Sequence, residues 1–233
     1  YIDGSLFVDM TGFTSTHPWD RMRLQFLLAL FKKHASGDFE MIINVHDCPM
    51  RGILDVNTPV FGITRCKGSN VVPLPQWFRH RDGKWTDWDG FVNTAQTHNT
   101  YKSNKAVFRG AFRQSVLQES DDGHLQFVNV NSTNWRQLGR TKLLHLQETN
   151  PHLYDIGLFT QSTEQYRFIT SHVKRNNATK QSMKDQVKHY KYLINVEGAC
   201  GWADRLKTLL ALEAVVLVQE AVCQEFWYPL LKP

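Results

Sequence analysis

The chain has 233 residues, 42% of them hydrophobic and 12% aromatic, a composition that suits a globular protein with a real core and excludes a disordered one. A formal charge of +5 and a pI near 9 point to an anionic partner, such as a sugar nucleotide diphosphate or a nucleic acid, although a merely basic solvated surface has the same composition. The longest uncharged apolar run, Ala214 to Val218, is far too short to span a bilayer and reads as a buried strand.

The chain opens inside a predicted strand, Ser5 to Met10, with no signal peptide ahead of it, and stops at Lys232-Pro233. It is expected to be a fragment, so its missing targeting signals say nothing of the parent protein. From Pro18 to Ala35, apolar residues including Trp19, Leu24, Leu27, Leu28 and Phe31 predict a helix. Pro18 suits its first turn, and Lys32, Lys33 and His34 suit its C-terminal dipole. Phe39 to Val45 predicts a strand leading into the polar turn His46-Asp47-Cys48-Pro49, and Pro59 to Thr64 predicts the next. Residues 66 to 104 are looser, with Trp77, Trp85 and Trp88 set among prolines and glycines.

A second set begins with the strand Lys105 to Arg109, followed by a polar surface excursion over 114 to 134. Residues 136 to 148 predict a helix, Tyr154 to Phe159 a strand, Ser182 to His189 a helix and Tyr190 to Val196 a strand. Ala203 to Glu213 predicts a helix, Ala214 to Val218 a strand and Ala221 to Leu231 a final helix. The fold class is therefore α/β, with two halves, 1–104 and 105–233, and a cleft expected between them. Four cysteines, Cys48, Cys66, Cys200 and Cys223, form no C-x-x-C pair, which disfavours zinc and leaves two disulfides or buried thiols open. Two sequons, Asn131-Ser-Thr133 and Asn177-Ala-Thr179, permit a secretory home.

The segment Tyr192 to Leu210 carries the clearest chemistry. An apolar strand runs into a loop with Gly198 and Gly201 and then a helix bearing Arg205, a geometry that offers backbone N–H groups to a phosphate. In open α/β sheets ligands gather at the carboxyl ends of strands. Neither G-x-G-x-x-G nor a Walker pattern is present, which disfavours a classical dinucleotide or ATP site. A second such turn is Arg109-Gly110-Ala111-Phe112-Arg113, where Gly110 would let a diphosphate approach and an arginine neutralise it. Asp47, in a turn fixed by Pro49, is the candidate general base; an aspartate in a turn is also commonly a capping residue. Gln219 and Glu220 close another strand, where Glu220 could bond ribose or sugar hydroxyls or simply start the next helix. Asp87-Trp88-Asp89 has the D-x-D spacing of a metal–diphosphate site, but it sits in turn-rich sequence and not at a strand end, so no metal is expected.

Phe108-Arg-Gly-Ala-Phe-Arg113, Tyr190-Lys-Tyr-Leu-Ile-Asn-Val-Glu-Gly198, Arg205-Leu-Lys-Thr-Leu-Leu210 and Glu225-Phe-Trp-Tyr-Pro-Leu-Leu-Lys-Pro233 follow one another in an order and spacing that resemble glycosyltransferase family 90. That family holds the Rumi-type protein O-glucosyltransferases and capsule-associated transferases. Ile43 to Pro49 and Thr58 to Phe61 resemble its N-terminal half, so the likeness covers nearly the whole chain. It implies a GT-B-like fold: an acceptor-side lobe, 1–104, and a nucleotide-sugar lobe, 105–233. It also implies inverting transfer of glucose or xylose from a UDP-sugar to a protein or glycan acceptor, without an essential metal or other cofactor.

By position the resemblance makes Asp47 the base. It makes Arg109, Gly110, Ala111, Arg140, Gly198, Arg205, Gln219 and Glu220 the donor-binding residues. It places the parent protein in the lumen of the endoplasmic reticulum or Golgi, with no nucleic-acid partner and no membrane contact within this segment. Two departures bear on donor identity: Asp204 stands beside Arg205, where relatives usually show a serine or asparagine nearby, and Ala111 stands where serine is common. The alternative reading is a transferase-like protein that binds nucleotide or glycan without turnover. A nucleic-acid-binding domain is disfavoured, because the basic residues are scattered and form no stripe.

Overall fold

The computed structural model describes residues 18–34, 37, 41–46, 60–74, 102–113, 115–159, 181–198, 200–203 and 205–231. The chain divides into two compact units, one formed by Tyr1–Gln76 with Gln224–Pro233 and the other by Trp77–Cys223. Both contain parallel strands, and the second adds an antiparallel pair, so the fold is mixed α/β. No described helix is long and apolar enough to cross a membrane.

In the first unit, helix α1 covers Pro18–His34 and ends on the basic residues Lys32, Lys33 and His34, as the sequence predicts. The strands β1 (Ile42–Asn44), β2 (Val60–Gly62) and β4 (Val71–Pro73) form a parallel sheet in the order β1-β2-β4, and β3 is Thr64–Cys66. The predicted strand from Pro59 to Thr64 is thus broken at Ile63, and its last residue starts β3. At the exit of β1, Arg23 Nη1 of α1 donates to the Val45 carbonyl at 3.1 Å, and His46 N donates to Asn44 Oδ1 at 3.0 Å. A helix side chain and an Asx-type bond therefore fix the backbone up to residue 46. The predicted strand Ser5 to Met10 lies outside the described residues.

The second unit holds β5 (Ser103–Ala111), β6 (Ser115–Glu119), β7 (Leu125–Asn129), α2 (Gly139–Thr149) and β8 (Tyr154–Phe159). These are followed by α3 (Met183–His189), β9 (Tyr190–Asn195), α4 (Arg205–Leu210) and β10 (Val215–Val218). Four parallel strands stand in the order β10-β9-β5-β8. Side chains alternate across the sheet. Ala106 and Phe108 of β5 and Ile194 of β9 pack with Leu143 and Leu144 of α2, while Val107 and Leu193 pack with Val187 of α3 and Leu209 of α4. The helices consequently cover both faces. Ser182 caps α3 by accepting from the Asp185 N–H, which explains why the helix starts where the sequence places it. In chain order the strands read 2-1-3-4 across the sheet, and the order reverses between β5 and β9.

Three expectations are corrected. Residues 115–129 form an antiparallel hairpin, β6–β7, and not a polar surface excursion; Val116 and Leu117 are each 1% exposed, Val116 within the core that holds Trp135 and Leu138 and Leu117 against Gly201. Ala214 to Val218 is a strand but not a buried one: β10 is a sheet edge, and Val215, Leu217 and Val218 are exposed. The predicted helix from Ala221 to Leu231 is instead a short strand, β11 (Cys223–Glu225), and a 3₁₀ turn at Tyr228–Leu230 with Pro229 inside it. Cys66, Cys200 and Cys223 are disulfide-bonded, which decides between the two readings of the cysteines for these three.

Candidate functional site

The site builds from the point where β5 and β9 end side by side. Arg109, Gly110 and Ala111 are the last three residues of β5, and Glu197 and Gly198 follow β9. Arg140, at the start of α2, is 9% exposed and bridges the two strand ends: its Nη1 donates to the Ala111 carbonyl at 2.8 Å and its Nε to the Glu197 carbonyl at 3.2 Å. Arg205, which opens α4, donates from Nη1 to the Arg109 carbonyl at 3.0 Å. The guanidinium carbons of Arg140 and Arg205 lie 5.5 and 4.8 Å from the centroid of the fully buried Phe108 ring, a shared cation–π platform. Both arginines, from separate stretches of sequence, thus meet at one aromatic ring.

Glycine is required at this junction for lack of space. A Cβ on Gly110 would come within 2.8 Å of the Phe108 ring and 3.4 Å of Arg140 Nη1. Gly201 has φ of 73°, and a Cβ there would lie 2.6 Å from Val222. The loop closes on itself through Gly198 N donating to the Trp202 carbonyl at 2.7 Å.

Charge is concentrated and poorly balanced. Burial, followed by repulsion from Arg113 and Arg205, pulls Arg140 down to about 9, and burial pulls Arg205 down to about 10. Arg205 Nε and Nη2 are buried without a hydrogen-bond partner. Guanidinium donors left unmet beside other cations are an arrangement that an anion with several oxygens relieves. Because α4 has only six residues, its macrodipole is small, so guanidinium groups rather than the helix start carry most of the positive field.

Arg109 joins the cluster through its carbonyl. Its guanidinium is engaged elsewhere: Nη2 pairs with Asp155 Oδ1 at 2.8 Å, Nη1 donates to the Asp155 carbonyl at 2.7 Å, and Tyr190 Oη donates to Asp155 Oδ2. Gln219 sits with the loop, its N–H on the Asn195 carbonyl at 3.0 Å and its side chain on Glu197. Glu220 is exposed, and no described contact ties it to the cluster. Asp47, Asp87 and Asp89 lie outside the described residues. Among the described residues, no group of three His, Cys, Asp or Glu converges as metal ligands would.

Sequence reasoning missed Phe108 as the platform, Asp155 and Tyr190 as the anchor of Arg109, and Glu197. The signal for Glu197 was its place next to Gly198 at a strand end; Asp155 and Tyr190 gave none, since only strand pairing brings them to Arg109.

A search of curated proteins returns no match to the chain. The sequence profile described as Glycosyl transferase family 90 matches residues 13–233, which include both ends of the site and support a glycosyltransferase function. The chain belongs to glycosyl transferase family 90.

Proposed function

We propose that the chain is the catalytic part of an inverting, GT-B-like transferase that moves glucose or xylose from a UDP-sugar to an acceptor hydroxyl of a protein or glycan. The observation that carries the donor half is the convergence of Arg140 and Arg205, the latter with unmet donors, at the point where the strand order reverses. In this reading the two guanidinium groups hold the diphosphate. Gly110 and Gly198 keep the strand ends free of side chains, and Gln219 orders the loop from behind. Arg109 fixes its own strand end through Asp155, and Glu220 meets the donor's hydroxyls from the rim.

Transfer breaks the bond between the anomeric carbon and the diphosphate oxygen, leaving charge on UDP. Donors fixed in advance at that oxygen are worth about 3–4 kcal/mol each. Asp47 takes the proton of the acceptor hydroxyl as that oxygen attacks the opposite face of the sugar. The balance is one C–O bond formed, one broken and one proton moved to carboxylate. No resident cofactor or metal is part of this scheme. Activity of the purified chain with a UDP-sugar is expected to survive EDTA; strict Mn²⁺ dependence would move the diphosphate contact to Asp87 and Asp89.

We infer a lumenal home in the endoplasmic reticulum or Golgi. Disulfide-bonded Cys66, Cys200 and Cys223 support it, since such bonds persist in oxidising compartments. Asn131 supports it as well: it is exposed, and its Oδ1 accepts from the N–H and hydroxyl of Thr133 at 2.9 and 2.6 Å, so the sequon's asparagine and threonine already face each other at the surface. Protein taken from its own cells is expected to lose mass on treatment with an N-glycosidase, with Asn131 converted to aspartate. An unmodified Asn131 peptide would count against the lumen.

A further inference from the structure

Glu197 follows β9 on the loop that carries Gly198 and is 6% exposed. Its Oε1 accepts from Gln219 Nε2 at 3.4 Å, and its Oε2 is buried with no hydrogen-bond partner. Arg140 lies against the same residue, yet its Nε donates to the Glu197 carbonyl and its Nη1 to Ala111, so the carboxylate has no described hydrogen bond from it. A half-satisfied carboxylate therefore sits beside the buried charge of Arg140, whose Nε and Nη1 are spent on backbone carbonyls.

We propose that Glu197 is a positioning residue acting through Arg140: its carboxylate is the counter-charge of Arg140 and takes up a proton when a diphosphate binds the arginine cluster. The inference rests on the reading of the cluster as the diphosphate site. From α2, Glu197 faces the Arg140 charge. From the segment after β10 it faces the Gln219 amide and the Val222 N–H, which carry none; Arg113 and Arg205 act on Arg140 in turn. Arg140, Gln219 and Val222 favour the carboxylate, but burial outweighs them and pushes Glu197 up to about 7. An incoming diphosphate takes over the field of Arg140 and adds negative charge nearby. Both effects favour the neutral acid, so one proton passes from solvent to Glu197.

The sign follows from linkage. If the bound state holds more protons than the free state, affinity falls as pH rises through the free-state value. A nucleotide sugar is a diphosphate diester with no group titrating near neutrality, so any proton exchanged belongs to the protein. Calorimetry with UDP-glucose and UDP-xylose, in two buffers of different ionisation enthalpy, is expected to show uptake of up to about half a proton at about pH 7. In Glu197→Gln the uptake disappears, and binding becomes up to about tenfold tighter than wild type at about pH 8 but equal to it at about pH 6.

Equal proton exchange in wild type and variant overturns the inference and leaves the donor site standing. So does a wild-type affinity that stays flat between about pH 6.5 and 8, whether or not the variant folds. Failure of either nucleotide sugar to bind at millimolar concentration overturns the donor site, and this inference with it.

Discussion

Replacing Arg205 with alanine is expected to weaken UDP binding at least about tenfold, and to lower transfer by about 10²–10³-fold, because this side chain supplies fixed donors where the leaving charge develops. Its Nη1 is held by the Arg109 carbonyl and its guanidinium lies on Phe108, while Nε and Nη2 have no partner. The group is thus oriented before any ligand arrives and keeps hydrogen-bonding capacity in reserve. Lysine is expected to rescue little, since an ammonium cannot hold a carbonyl, stack on the ring and present further donors together. Isothermal titration with UDP measures the effect, and an Arg205→Ala variant of unchanged affinity would remove this residue from the donor site. Stability is not expected to fall in parallel, because a buried arginine held down to about 10 by desolvation is itself a cost to the folded state.

The candidate site was legible in part because strand ends, glycines and arginines lie close together in sequence at each of the two strand ends. Arg109-Gly110-Ala111 and Glu197-Gly198 each mark the end of a predicted strand, and parallel pairing of β5 with β9 was enough to bring them together. What could not be read was the direction of each side chain. Arg109 and Phe108 are neighbours, so strand alternation sends them to opposite faces. Phe108 becomes the platform for Arg140 and Arg205, and Arg109 turns to Asp155.

The hairpin β6–β7 escaped for a different reason. Val116 and Leu117 are both buried, so no period of two shows in the sequence, and the one clear signal, Asp122-Gly123, is the turn itself with Gly123 at φ of 83°. The error at Ala221–Leu231 came from apolar spacing that suits a helix, overridden by Pro229 and by strand pairing at Cys223–Glu225. The burial assigned to Val215–Val218 failed because an apolar run does not tell a central strand from an edge.

Asp47→Asn is the change expected to separate chemistry from binding most sharply: transfer lost by about 10²–10⁴-fold, with UDP affinity unchanged. Asparagine keeps the size and the hydrogen-bonding oxygen of aspartate but cannot take a proton at neutral pH, so only the step that needs a base is removed. In sequence Asp47 comes three residues after the last residue of β1, Asn44. There Arg23 holds the Val45 carbonyl and Asn44 holds the His46 N–H, so the strand end that precedes this carboxylate is tied on both sides of the chain. The donor contacts proposed here all lie in the other unit, on Arg140, Arg205 and the ends of β5 and β9. Binding and deprotonation therefore rest on different parts of the chain and should fail independently. Steady-state transfer and UDP calorimetry on the same preparation test this: a variant that loses UDP binding together with turnover would show Asp47 to be a structural residue of its turn. One that keeps full turnover would assign the proton to another group.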